Sequence, residues 1–339
     1  MRESSSETQT RKYVYGPVPS RRLGQSLGID PIPLKTCNWN CIYCQLGRTQ
    51  PVVNARKEYI SAETILEQAV IALDQYERGE IDWVTFVGSG EPLLHAKLGW
   101  MIRKLKTLTD IPIAVITNGT LLYEPEVRRD VAPADAVLPS LDAGTSDLYR
   151  KINRPHPEIT FERHIDGLIA FGREYKGALW PEVMLIRGLN DTEKALVSIA
   201  AILQEIGPDR IHLNMPERPP AEPWVKPTDE EGLMRAIAIL GDVASVVHPV
   251  AGSFERSSGG STLDAIVDII TRHPMREEEV KRTIARWTPE TAKETFDDIA
   301  ASEKIQTIER YGVRFWCSTD SVYAESKKGK SHNRRRNND

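Results

Sequence analysis

Cysteine is scarce in this chain, with four in 339 residues. A secreted fold stapled by disulfides would scatter its cysteines in pairs. Here Cys37, Cys41 and Cys44 sit within one short stretch and Cys317 stands alone, so a reducing cytoplasm is the expected setting. Long apolar runs are missing too. No stretch approaches the roughly 20 apolar residues that span a bilayer. The polar leader of residues 1–12 lacks the apolar segment of a secretion signal. Nor is there an excess of charge of one sign: 44 Lys and Arg against 48 Asp and Glu leave a formal net charge of -4. That balance gives no bulk attraction to nucleic acid or to an anionic membrane.

What is present is an apolar fraction of 40%, enough for a large buried core. After the turn-rich, basic segment Tyr15 to Gly24 comes a first strand in Ser26 to Pro33 and a loop bearing the cysteines. Strands and helices then alternate. Ser61 caps a helix carrying Ile65, Ala69, Ala72 and Leu73 on one face. Strands are expected at Trp83–Val87, Ile113–Ile116, Ala136–Leu138, Glu182–Ile186, Ile211–Leu213 and Ala244–Val247. Between them lie helices at Leu98–Leu108, Phe161–Tyr175, Thr192–Ile206 (capped by Asp191) and Thr228–Leu240. This rhythm implies parallel strands with right-handed crossovers. Six or seven such units make a partial (β/α)6-type barrel over 13–250, with polar strand ends gathered on one face.

The segment 251–262 has linker composition. Beyond it the rhythm changes to helices at Leu263–Arg272, Arg276–Ala285 and Pro289–Ala301, then two short strands around Arg310. This is a small winged-helix-like domain over 263–323. The tail 324–339 holds Lys327, Lys328, Lys330, Arg334, Arg335 and Arg336 without a large apolar residue, a disordered composition.

Cys37-Asn-Trp-Asn-Cys41-Ile-Tyr-Cys44 places three soft thiolates on one tight loop, suited to an iron–sulfur cluster or to zinc. Structural zinc wants four protein ligands, and no second cysteine pair exists, although His95 or another residue could complete such a site. A cubane on three cysteines leaves one iron open to a small molecule. Three merely structural cysteines are the remaining alternative. Further along, Gly88-Ser-Gly-Glu-Pro92 follows a strand; its glycines allow close backbone approach and Glu91 can accept hydrogen bonds from an ammonium group. Asn118 follows the next strand and can orient a ligand or simply form a turn. Ser140 and Asp142 follow the strand after, where a hydroxyl and a carboxylate suit ribose hydroxyls, or Asp142 caps a helix.

The C-x3-C-x2-C spacing with Tyr43 before the third cysteine resembles the signature of the radical SAM superfamily. The resemblance implies that Cys37, Cys41 and Cys44 hold a [4Fe–4S] cluster whose open iron chelates the methionine part of S-adenosylmethionine, with Tyr43 against the adenine. Gly88, Ser89, Gly90, Glu91 and Pro92 resemble that superfamily's glycine-glycine-glutamate-proline motif, with Ser89 in place of a glycine. Met184–Gly188 and His212–Asn214 occupy strand ends near the expected adenine position. Gly16 to Gly24, Pro33 to Cys37, Cys44 to Arg48 and Leu213 to Pro220 resemble a group of iron–sulfur oxidoreductases related to wyosine-tRNA synthetases. Those enzymes carry further upstream cysteines and a flavodoxin-like domain, both missing here.

The resemblance implies that a one-electron donor such as flavodoxin or ferredoxin drives cleavage of S-adenosylmethionine to a 5′-deoxyadenosyl radical, which abstracts hydrogen from the substrate. A tRNA held by the C-terminal domain and tail is one candidate substrate; a peptide, protein or small metabolite is another. The acidic stretch around Lys293 is poorly suited to phosphates. A non-catalytic iron–sulfur sensor is a reading from a different class. Arg21 and Arg22 are candidates for an anionic substrate or for anchoring the leader. Cys317 is expected to be a small buried residue.

Overall fold

The computed structural model describes residues 12–247, Phe254 and 261–324. Most of the expected leader, linker and basic tail, including the six cationic residues from Lys327 to Arg336, lies outside the described residues.

Strands β1 (Val14–Ser20) and β2 (Gly24–Ile29) form an antiparallel hairpin. From β2 the sheet continues in parallel through β3 (Trp83–Phe86), β4 (Ile113–Thr117), β5 (Ala136–Pro139) and β6 (Ala178–Leu179). A second parallel sheet contains β7 (Glu182–Met184), β8 (Ile211–Asn214) and β9 (Ala244–Val246). The two sheets are one curved wall. Pro181 interrupts the β6–β7 path, having no N–H for the ladder. Ser140 then bridges Glu182 in parallel, and Leu141 N–H donates to the Glu182 carbonyl at 2.8 Å.

β1 departs from the sequence expectation. Gly16, Pro17 and Pro19 look like turn formers, yet they lie in a strand. It is an edge strand, hydrogen-bonded to β2 alone, and an edge position tolerates proline.

The helices α1 (Ala62–Leu73), α2 (Leu98–Leu105), α3 (Pro125–Val131), α4 (Ser146–Ile152), α5 (Phe161–Glu174), α6 (Glu193–Ile206) and α7 (Glu230–Leu240) cover the wall. Each buries an apolar stripe. In α6, Leu196, Ile199, Leu203 and Ile206 recur at helical spacing and join a single large core with Val84, Val115 and Val137. Ser61 caps α1 as expected. Asp191 does not cap α6: Thr192 does, accepting from Ala195 N–H, while Asp191 accepts from Gly188 N–H and Thr228 Oγ1.

The C-terminal part comprises α8 (Thr262–Arg272), β10 (Met275–Arg276), α9 (Glu277–Trp287), α10 (Ala292–Ala300), β11 (Ile305–Arg310) and β12 (Val313–Ser318), with sheet order β10-β12-β11. Ile266, Ile270, Val280, Ile284, Ile299 and Trp316 give it a core of its own. It lies across the carboxyl ends of the barrel strands. Arg272 reaches Asp30 at the end of β2, Gln45 Nε2 donates to the Arg272 carbonyl at 3.0 Å, and Tyr323 hydroxyl donates to the Gln45 carbonyl at 2.6 Å.

Candidate active site

The cysteine loop leaves β2 and is fastened from two sides. Asn40 and Ile42 N–H groups donate to backbone carbonyls at the end of α4, and Val53 N–H donates to the Cys37 carbonyl at 3.0 Å. The three cysteines are partly exposed, and Cys44 lines a large cavity beneath the C-terminal part. Hydrogen-bond donors approach each sulfur: Trp39 N–H lies 3.4 Å from Cys37 Sγ and Lys35 Nζ 3.3 Å from Cys44 Sγ. Asn118 and Asn153 amides stand 3.8 Å from Cys37 Sγ and 3.9 Å from Cys41 Sγ. Such donors stabilise sulfur-borne negative charge. Lys35 and Asn153 were not singled out from sequence. The left-handed backbone of Lys35, φ 62, is a feature only coordinates reveal.

Burial, reinforced by the nearby Glu91 carboxylate, pushes the Cys37 thiol up to about 12, and burial raises Cys41 as well. A cation of high charge bound there would reverse that shift by deprotonating its cysteine ligands outright. His95 cannot complete a zinc site: Nε2 lies 2.8 Å from the Ile60 carbonyl, and Nδ1 accepts from Lys97 N–H. Among the described residues, no three His, Cys, Asp or Glu side chains converge on one metal ion, as structural zinc requires. A cubane is wider than one ion, and the donor set of three cysteines fits it.

The Gly88-Ser-Gly-Glu-Pro92 loop is bolted to the base of the cysteine loop. Lys35 N–H donates to the Ser89 carbonyl at 2.7 Å and Glu91 N–H to the Thr36 carbonyl at 2.9 Å. Gly90 must be glycine, because a Cβ there would stand 1.9 Å from the Thr36 carbonyl oxygen. Ser89 is buried, and its hydroxyl donates to Asp30 Oδ2 at 2.6 Å while its N–H donates to Oδ1 at 3.0 Å. Asp30 also receives Arg272 Nε at 3.1 Å. Thus the serine in a glycine position links this loop to the C-terminal part.

Glu91 is buried and accepts from Leu93 N–H at 2.9 Å, from Asn118 N–H at 2.7 Å and from the Thr117 hydroxyl. Burial raises its carboxyl to about 7 against the lowering effect of these donors. Its oxygens tie β4 to the loop. Asn118 Nδ2 donates to Asn38 Oδ1 at 2.7 Å, behind Cys37.

Asp142 is likewise occupied by protein groups. It accepts from the Tyr43 hydroxyl at 2.5 Å, from Asn153 Nδ2 at 2.7 Å and from Met184 N–H at 2.9 Å. Burial raises its carboxyl, opposed first by the Tyr43 bond. Ser140 is half-buried nearby, at the β5–β7 bridge. The structure therefore brings Tyr43 and Asp142 into contact with each other, and Glu91 and Asn118 likewise.

Below the C-terminal part lies a cavity of ≈ 370 Å³ that reaches Tyr43, Cys44 and Gly88 at one side. Its floor includes Ser26, Thr85 and Ile116 from inside the barrel. Arg21 and Arg22 from the β1–β2 turn enter it, Arg21 pairing with Glu217 at 3.1 Å and Arg22 with Glu182.

Residues 32–200 match the Radical SAM superfamily. A UPF0026 protein of Methanocaldococcus jannaschii is 37% identical over 274 residues, covering 80% of this chain and 85% of that one. A protein named GTPase Obg from Brachyspira hyodysenteriae is 39% identical over 80% of this chain, which spans only 40% of its length. The S-adenosyl-L-methionine-dependent tRNA 4-demethylwyosine synthase of Xenopus laevis is 24% identical over 51% of this chain and 25% of its own length. In fold, the chain is similar to a radical SAM methyltransferase from Sphaerobacter thermophilus, with a TM-score of 0.51 and 19% identity, covering 65% of this chain and 66% of that one. The chain belongs to the radical SAM superfamily, among its UPF0026 proteins, and is an enzyme whose cofactors are a [4Fe–4S] cluster and S-adenosylmethionine.

Proposed function

We propose that this enzyme abstracts hydrogen from a compact substrate enclosed in the cavity between the barrel and its C-terminal, winged-helix-like roof. The observation that carries the reading is the continuity of that cavity with Tyr43, Cys44 and Gly88 at the cysteine and glycine-rich loops. When bound, the cluster and its cofactor supply a 5′-deoxyadenosyl radical on receipt of one electron, from a cytoplasmic donor of the flavodoxin or ferredoxin type. Cys37, Cys41 and Cys44 hold the cluster. Gly88, Ser89, Gly90, Glu91 and Pro92 form the shelf for the methionine moiety, with Glu91 and Asn118 setting its position through the bonds between them. Tyr43, fixed by Asp142, faces the adenine, and Ser140 lies on the ribose side. The roof excludes water and stray hydrogen donors from the reaction.

The similarity to the wyosine synthase favours a second reading, modification of tRNA. Helix α10 of the roof supplies little for phosphates, setting Lys293 against Glu294, Asp297 and Asp298. A peptide substrate would have to thread beneath the roof.

Anaerobic reconstitution tests the proposal. Expected are about four irons per chain, and reductant-dependent release of methionine and 5′-deoxyadenosine that is lost in Cys41→Ala. An iron-replete wild type that releases neither product overturns it and favours a sensor.

A further inference from the structure

We propose that the cavity holds an anionic group of the substrate, a carboxylate or phosphate of a small molecule, at a subsite centred on Arg218. This rests on the reading above, that the substrate enters the cavity. Four arginines line the space: Arg21, Arg22, Arg218 and Arg272. Three have carboxylate partners, Arg21 with Glu217, Arg22 with Glu182 and Arg272 with Asp30.

Arg218 differs. Its Nε donates to the Pro274 carbonyl at 3.0 Å and its Nη1 to Gln45 Oε1 at 3.1 Å, both neutral acceptors. Among the described residues no carboxylate lies within 4.0 Å of its guanidinium; Glu279 and Glu217 attract it only from farther away. Among the described residues, the cavity therefore holds one guanidinium more than its carboxylates balance. Burial, then Arg21, lowers Arg218 to about 10, so it keeps its charge at neutral pH.

Unpartnered polar atoms line the same cavity. The buried atoms Arg22 Nε and His273 Nε2 have no hydrogen-bond partner, and both residues line the cavity. His273 is lowered to about 3, by burial and then by Arg218, Arg272, Arg21 and Arg22. It is neutral at physiological pH and offers one ring N–H as a donor. An uncompensated buried cation is costly, and a guanidinium fork matches the paired oxygens of a carboxylate or phosphate.

The cofactor does not answer this surplus. S-adenosylmethionine carries an ammonium and a sulfonium against one carboxylate, and so brings net positive charge itself. A polyanionic backbone does not answer it either, because the subsite lies under the roof, whose helix α10 sets one lysine against three carboxylates.

The test is calorimetric titration of the cluster-loaded full chain with malonate and, separately, with inorganic phosphate; the tighter of the two identifies the chemistry. Arg218→Gln should weaken binding by more than about tenfold, and Arg218→Lys should weaken it less. Glu217→Gln, which frees Arg21, should tighten it, a direction that misfolding cannot imitate. Saturating S-adenosylmethionine should leave the anion site available. Equal binding by wild type and Arg218→Gln overturns the proposal. So does weaker binding in Glu217→Gln, displacement of the anion by the cofactor, or binding of total tRNA where neither small anion binds. Cofactor cleavage by the wild type, measured separately, keeps the two readings apart. Cleavage without anion binding sinks the subsite alone, and anion binding without cleavage sinks the function alone.

Discussion

Gly90 and Ser89 show how tightly single residues bind the glycine-rich loop to its neighbours. A methyl group at Gly90 would collide with the Thr36 carbonyl, next to Cys37, and that carbonyl already accepts from Glu91 N–H. Gly90→Ala should thus displace the base of the cysteine loop; we expect a large loss of cofactor cleavage, while the far-ultraviolet circular dichroism stays near wild type. Ser89→Gly restores the residue usual in the superfamily motif but removes the 2.6 Å bond to Asp30. A hydrogen bond to a buried charged group contributes about 1.5–3 kcal/mol. Urea unfolding should register a loss of that order, and an unchanged midpoint would deny the bond any role in stability. Cys317 is fully buried in β12, and burial pushes its thiol up to about 11. Cys317→Ala should leave the iron content of the reconstituted protein unchanged.

At the scale of elements, the alternating strands and helices were legible because each carries its own period and cap. The helices start within a residue or two of the expected positions where Ser61, Thr160, Thr192 and Asp229 accept from the first turn. The short helices α3 and α4 and the two-residue β6 and β10 carry too few residues for a periodic signal. β1 was hidden by prolines that only an edge position allows. The candidate cluster ligands were legible as a local motif, but their setting was not. Asp30 and Arg272 stand 242 residues apart in sequence and meet in a buried pair, 1% and 8% exposed on their side chains. Nothing local in either segment announces the other. Breaking such a pair by removing one partner costs about 3–5 kcal/mol, because a charge is left buried alone. Arg272→Ala should therefore cost several kcal/mol in urea unfolding and loosen α8 from the barrel, raising hydrogen exchange at Ser89 and Lys35, whereas Asp30→Asn with Arg272→Leu should recover part of that loss.

Across the whole molecule, four histidines held from solvent make stability depend on acid pH, His95 among them, lowered by burial. Burial lowers His164 and His212 to about 4 and His273 to about 3. Each binds its proton more readily unfolded, near 6.5, than folded. Their contribution is thus complete above pH 6.5 and is lost as pH falls toward the folded values. Glu91 runs the other way: its folded value of about 7 exceeds the unfolded 4.5, so its contribution is present below pH 4.5 and lost as pH rises through 7. The net curve mixes these effects, and one histidine separates them. His164 stacks on Tyr149 at 5.3 Å between ring centroids and meets Trp39 edge-on, behind the cysteine loop. Phenylalanine keeps the ring and removes the titration. Between pH 7 and pH 5 the stability of wild type relative to His164→Phe should fall by about 2 kcal/mol, the linkage expected for a shift from 6.5 to 4. Parallel urea-unfolding curves for the two proteins over that interval would mean that His164 is protonated alike in both states.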